Sequence, residues 1–146
     1  QGDARFTGWE AEAKIALAEG AAGDWSLRLF ADGVDAKLDS GERLPRIAPG
    51  RVGVDIDWSR GGWWARAGAV RVASQDEVSP MEDATPGYTL VDAGLGYHWD
   101  VGAAGWELFL EGRNLTDREA RVHTSFLKEV APLPGRNIAA GVRVVF

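Results

Sequence analysis

The sequence predicts an all-β protein, a fragment of an antiparallel transmembrane β-barrel of about seven strands with short periplasmic turns and long extracellular loops. Three observations carry that reading. Seven segments of the 146-residue chain alternate apolar and polar residues at a period of two. The connections between them alternate between short and long. The tryptophans gather beside the short connections.

The terminal stretch 136–146 shows the alternation most clearly. Ile138, Ala140, Val142, Val144 and Phe146 fall on one side, and Asn137, Ala139, Gly141, Arg143 and Val145 on the other. The sequence stops on an aromatic with no polar residue after it, as a membrane strand reaching an interface would. The first segment, Phe6 to Leu17, sets Trp9, Ala11, Ala13, Ile15 and Leu17 against Gly8, Glu10, Glu12 and Lys14. The second, Trp25 to about Ala36, sets Trp25, Leu27, Leu29 and Ala31 against Ser26, Arg28, Phe30 and Asp32. Val52, Val54, Ile56 and Trp58 oppose Gly53, Asp55 and Asp57 in the third. The fourth, Trp63 to Val72, is less regular, with Trp63, Ala65, Ala67 and Ala69 against Trp64, Arg66, Gly68 and Val70. The fifth opposes Val91, Ala93, Leu95, Tyr97 and Trp99 to Asp92, Gly94, Gly96 and His98. The sixth opposes Trp106, Leu108 and Leu110 to Glu107, Phe109, Glu111 and Arg113.

Residues 20–23, 59–62 and 100–105 are Gly-containing hairpin turns, whereas 38–46, 74–87 and 116–135 are long and polar. Trp25, Trp58, Trp63, Trp99 and Trp106 all flank the short turns. On an antiparallel sheet they form one row at one end, the place for an amphipathic indole at a membrane–water boundary. Aromatics of a soluble sandwich would be spread along its strands. Seven is an odd number, and the outer strands of an open sheet would show lipid an unpaired backbone. The chain is therefore expected to be part of a larger barrel, and alone it cannot be a pore.

Composition excludes several classes. No apolar run approaches the length of a transmembrane helix. A net charge of -6 argues against nucleic acid, and the absence of Cys removes thiol chemistry and disulfides. No signal peptide opens the chain, so the expectation is a mature start or an N-terminal part lying outside it.

With the strands placed, the chain resembles the C-terminal end of a TonB-dependent outer-membrane receptor. The likeness rests on Phe6-Thr7-Gly8-Trp9-Glu10-Ala11-Glu12, Leu44-Pro45-Arg46-Ile47-Ala48-Pro49-Gly50-Arg51 and Pro86-Gly87-Tyr88-Thr89-Leu90-Val91-Asp92. It continues in Gly112-Arg113-Asn114-Leu115-Thr116-Asp117 and in Pro134-Gly135-Arg136-Asn137 leading to Phe146. The resemblance implies a 22-stranded barrel with an N-terminal plug and a TonB-engaging segment, neither of them within this chain. Residues 1–146 would be its last seven strands and last three extracellular loops. It implies TonB-dependent uptake of a scarce metal or metal chelate across the outer membrane of a Gram-negative bacterium. Its partners would be the TonB complex, outer-membrane lipid, the outer-membrane assembly machinery and the metal or chelate ligand. Val142, Val144 and Phe146 would form the assembly signal.

His123-Thr124-Ser125-Phe126-Leu127-Lys128-Glu129, followed by Ala131-Pro132-Leu133-Pro134, looks like receptors of zinc uptake. Iron–siderophore receptors are the alternative. An imidazole at His123 and a carboxylate at Glu129 have the chemistry to ligate Zn²⁺, as transported cargo and not as a resident cofactor. A solvated loop histidine is the simpler reading, because no paired His or Cys spacing supports a site. His98 is expected in the polar network of the wall. The inward charges, among them Glu10, Glu12, Arg28, Asp55, Arg66, Glu111 and Arg143, should pair with one another and with the plug.

No enzyme motif stands up. Asp55-Ile56-Asp57 lies on a strand wall, Asn114-Leu115-Thr116 matches only a glycosylation acceptor, and Ser125 lacks a nucleophile's strand–turn–helix setting. The other readings are a small autonomous outer-membrane barrel or anchoring module without transport, and an outer-membrane barrel hydrolase.

Overall fold

The computed structural model describes residues 3–146. Its strands are β1 (Ala4–Ala18), β2 (Asp24–Leu38), β3 (Arg51–Arg60), β4 (Trp63–Val72), β5 (Tyr88–Val101), β6 (Ala104–Arg113) and β7 (Asn137–Val145). They form one seven-stranded sheet in chain order, every neighbouring pair antiparallel. All seven alternating segments are strands, and most run past the ends that alternation marks. Outside an apolar band nothing requires one face to be greasy, so the ladder continues after the pattern fades.

The short turns match their glycines. Gly61 and Gly102 each take a positive φ, at 55° and 63°, in the first position of the two-residue connections 61–62 and 102–103. That is the position a primed hairpin turn gives to glycine, and its twist matches that of the flanking strands.

Register puts the alternation onto real faces. Glu12, Arg28, Asp55, Arg66, Asp92, Glu111 and Arg143 lie on one face. Trp25, Trp58, Leu95, Leu108 and Val142 lie on the other. The apolar face finds no cover within the chain: Leu108, Ile138 and Val142 are more than half exposed. Ala36, Tyr88 and Ala120 are the buried apolar residues among those described, too few to form a soluble core. An apolar face of this extent needs a solvent other than water. The sheet stays open, with β1 and β7 as edges lacking a partner strand among the described residues.

The charged face is packed by a repeated device. Phe30 lies against Gly53, Trp64 against Gly96 and Phe109 against Gly141, positions where a Cβ would collide with the ring. Each ring is covered by an arginine: Arg28 stands 4.5 Å from the Phe30 centroid, Arg66 5.3 Å from Trp64 and Arg143 5.6 Å from Phe109. The rings fill the side-chain gap over glycine while the guanidiniums face the interior.

Candidate functional site

Two surfaces carry the chemistry, the charged face of the sheet and the cluster of long loops at one end. On the sheet, Arg28 reaches both neighbouring strands. Its Nη2 is 2.8 Å from Glu12 Oε2 on β1, and its Nη1 is 3.1 Å from Asp55 Oδ2 on β3. Arg66 on β4 reaches across β5 to Glu111 on β6 at 2.5 Å, and Arg143 on β7 meets Glu107 at 2.5 Å. The Trp64 indole donates to Glu107 at 2.9 Å, also crossing β5, which explains glycine at position 96 beneath it. A concavity of about 450 Å³ opens between Arg28, Asp55, Arg66, Asp92, Glu111 and Arg113. Mixed signs in pairs make this a polar wall suited to packing another polar body. His98 lies on the same face near the short turn, exposed, with Nε2 3.3 Å from the exposed Asp100.

The opposite face ends in an aromatic row beside the short turns. Trp25 and Trp58 lie 6.0 Å apart, Trp63 and Tyr97 4.7 Å, Tyr97 and Trp99 5.9 Å, and Trp99 and Trp106 6.2 Å. The five tryptophans singled out by sequence all fall in it. Tyr97 fills the gap between Trp63 and Trp99, a place in the row that reading the tryptophans alone misses although it shares their parity. Val142 and Val144 pair with Leu108 and Trp106 on the same face. Phe146 follows β7 at the same end and is 98% exposed.

At the other end the loops 39–50, 73–87 and 114–136 converge on Glu82. The Arg46 backbone N–H, from the first loop, donates to both carboxylate oxygens, at 3.1 and 2.9 Å. From the third loop Lys128 Nζ lies 3.1 Å from Oε1 and His123 Nε2 3.3 Å from it. Lys128 also donates to the Asp83 carbonyl at 2.7 Å. His123 Nδ1 is hydrogen-bonded to the Thr85 hydroxyl at 2.9 Å, whereas the buried Nε2 makes no hydrogen bond among the described residues. The side chains of His123, Glu82 and Lys128 are 1%, 6% and 9% exposed.

His123 is thus no solvated loop residue but the most enclosed polar side chain of the loop cluster. Glu129 is exposed and lines an open cleft with Arg46, Glu82, Phe126 and Lys128; His123 is not among that cleft's walls. The two residues read together from sequence therefore sit in different settings. Among the described residues no group of three or more His, Cys, Asp or Glu is arranged to hold a metal ion. Sequence reasoning missed Glu82, Thr85 and the role of Lys128, for which no spacing gave a signal. It also missed the bridging role of Asn114. That residue takes a positive φ of 49°, and its side-chain amide donates to the Arg118 and Pro134 carbonyls at 2.9 and 3.1 Å, joining the two ends of the third loop.

The environment shifts both titrating members of the cluster. Burial drives His123 below its ordinary 6.5; the Glu82 carboxylate opposes this and the Lys128 ammonium adds to it. Burial pushes Glu82 up, but the Arg46 N–H, the Lys128 hydrogen bond and the nearby positive charges hold it below 4.5. Both shifts have the same sign for stability. A group whose folded value is depressed binds fewer protons in the closed cluster than in the open one, so acid favours opening. The His123 contribution is complete above 6.5 and is lost as pH falls from there towards its lowered value. The Glu82 contribution is lost only below 4.5. Limited proteolysis of the third loop should therefore accelerate as pH drops below 6.5, with a protease whose own activity is corrected for pH. A flat profile down to 4.5 would remove His123 from the closing interactions.

The family described as TonB dependent receptor-like, beta-barrel matches residues 1–115. The chain belongs to that family. Among solved structures it is similar to that of "Copper transporter OprC", with a TM-score of 0.79 and 22% sequence identity. The match covers 97% of this chain and 23% of that one, so the chain spans about a quarter of the length of that relative. Family membership accounts for a sheet with paired charges on one face, an aromatic row at one end of the other and the long loops at the opposite end.

Proposed function

We propose that this chain is the C-terminal part of the barrel of an outer-membrane receptor that takes up a scarce metal or metal chelate, driven by TonB and the proton gradient. The observation that carries the reading is the two-faced sheet. One face is apolar with an aromatic row, the other is built of paired charges, and both edges lack a partner strand among the described residues. A plug and the earlier strands, outside this chain, would cover that charged face and close the barrel. The family and the resemblance support TonB as partner, outer-membrane lipid as surroundings and the outer membrane as location. The likeness to a structure named as a copper transporter supports a metal cargo. Zinc and an iron–siderophore are the two cargo forms the resemblance offers.

The test uses the full-length receptor. Uptake of radiolabelled zinc and of a ferric siderophore is compared in cells with and without TonB, and with and without an uncoupler. Uptake of one cargo that disappears in both treatments is expected. Undiminished uptake in both would refute TonB coupling, and no receptor-dependent uptake of either cargo in untreated cells would leave an autonomous barrel or anchoring module. Calorimetry then separates the cargo forms. If zinc is held by His123 and Glu129, His123→Ala and Glu129→Gln each weaken Zn²⁺ binding. Weakening by His123→Ala alone assigns that residue to loop packing, and no change in either assigns the site to a chelate.

A further inference from the structure

The long loops are joined to one another by side-chain and backbone contacts. Glu82 in the second loop accepts from a backbone N–H of the first loop and from Lys128 of the third, with His123 Nε2 of the third 3.3 Å away. Gln75 of the second loop donates to the Ile47 carbonyl of the first at 3.0 Å, and Arg43 of the first pairs with Glu77 of the second. The first and third loops meet directly where the Arg46 guanidinium lies 3.7 Å from the Phe126 centroid. Each pair of loops is therefore in contact, and one nearly buried carboxylate is common to all three.

We propose that the three long loops form a single cap latched on Glu82, which opens and closes as one unit instead of as three independent loops. Glu82 is the keystone for a physical reason. Its carboxylate neutralises the Lys128 ammonium, which is 9% exposed, and an ammonium so enclosed cannot remain where it is without a counter-charge. Release of Lys128 from Glu82 frees the third loop and also loosens the carboxylate that holds the Arg46 N–H. Opening at one contact thus weakens the next, the condition for two discrete states and not a continuum. The cap's place at the outer mouth rests on the receptor reading; the coupling among the loops does not.

Amide hydrogen exchange on the full-length receptor in detergent tests the coupling. Lys128→Met removes a contact between the second and third loops, and among the described residues Lys128 has no hydrogen bond to the first. Exchange at the Arg46 amide should nevertheless rise about tenfold or more, together with that of residues 121–131. Faster exchange confined to residues 121–131 would overturn the proposal. The unaltered receptor provides a second reading that needs no variant to fold. Under conditions where opening limits exchange, Arg46 and Ala131, whose amides donate to Glu82 and to the Leu127 carbonyl at 2.8 Å, should share one opening rate. Distinct rates would show independent loops. Neither measurement involves uptake, so failure of the transport reading and failure of the latch are separable.

Discussion

Arginine in place of Leu108 or Val142 costs the barrel about 2–4 kcal/mol at the bilayer midplane, whereas the same residue at Ala139 carries no such penalty. Leu108 and Val142 are register partners on the apolar face, 53% and 57% exposed in a sheet that offers them nothing to pack on. In the receptor reading lipid is their solvent, and a guanidinium there must be desolvated or drag water and headgroups inwards. Ala139 lies on the charged face opposite Glu111, where an added arginine meets a carboxylate and water. By alternation alone Gly94 and Gly141 would serve as inward-facing controls. The structure disqualifies them: a Cβ at Gly141 would stand 2.6 Å from Phe109, and one at Gly94 3.0 Å from Trp64. Their substitution would report steric collision instead of membrane energetics. The measurement is a urea titration of the full-length receptor folding into lipid vesicles. Equal losses at Ala139 and Leu108 would invert the assignment of faces.

Deletion of Phe146 separates folding from delivery. The side chain is 98% exposed and follows the last residue of β7, so its removal takes almost no packing from the sheet. What it contributes to stability comes from the membrane boundary, at most the transfer of one aromatic, about 1.5–3 kcal/mol. The resemblance assigns Phe146, with Val142 and Val144, to the signal that assembly machinery reads. The truncated full-length receptor is expected to refold in detergent with unchanged heat-modifiable mobility, yet to reach the cell surface at a small fraction of the normal level. Normal surface levels would refute the signal. Failure to refold would instead make Phe146 a structural residue.

The wall of this barrel was readable from residue order, and its loop cap was not. Period-two alternation is a local property, because each strand residue points opposite to its neighbour whatever the rest of the chain does. Segments such as Leu95–Trp99 and Ile138–Phe146 therefore declared both their conformation and their two faces. Turn length supplied the ends, and turn position with parity placed Trp25, Trp58, Trp63, Trp99 and Trp106 in one row. Nothing comparable marks the cap. Glu82 and Lys128 are 46 residues apart in sequence, and His123 and Thr85 are 38 apart. Loops have no period, so no spacing encodes which side chains meet. Taken alone, His123 offered only the general chemistry of imidazole, and Glu129 beside it in sequence was as good a partner as any. The partner proved to be Glu82, because the sheet brings the second and third loops to the same end. Burial then turned an expected solvated loop histidine into an enclosed residue hydrogen-bonded to Thr85. The glycines under Phe30, Trp64 and Phe109 tell the same story at shorter range. Their need is set by the neighbouring strand's register, and register exists only once the strands are paired.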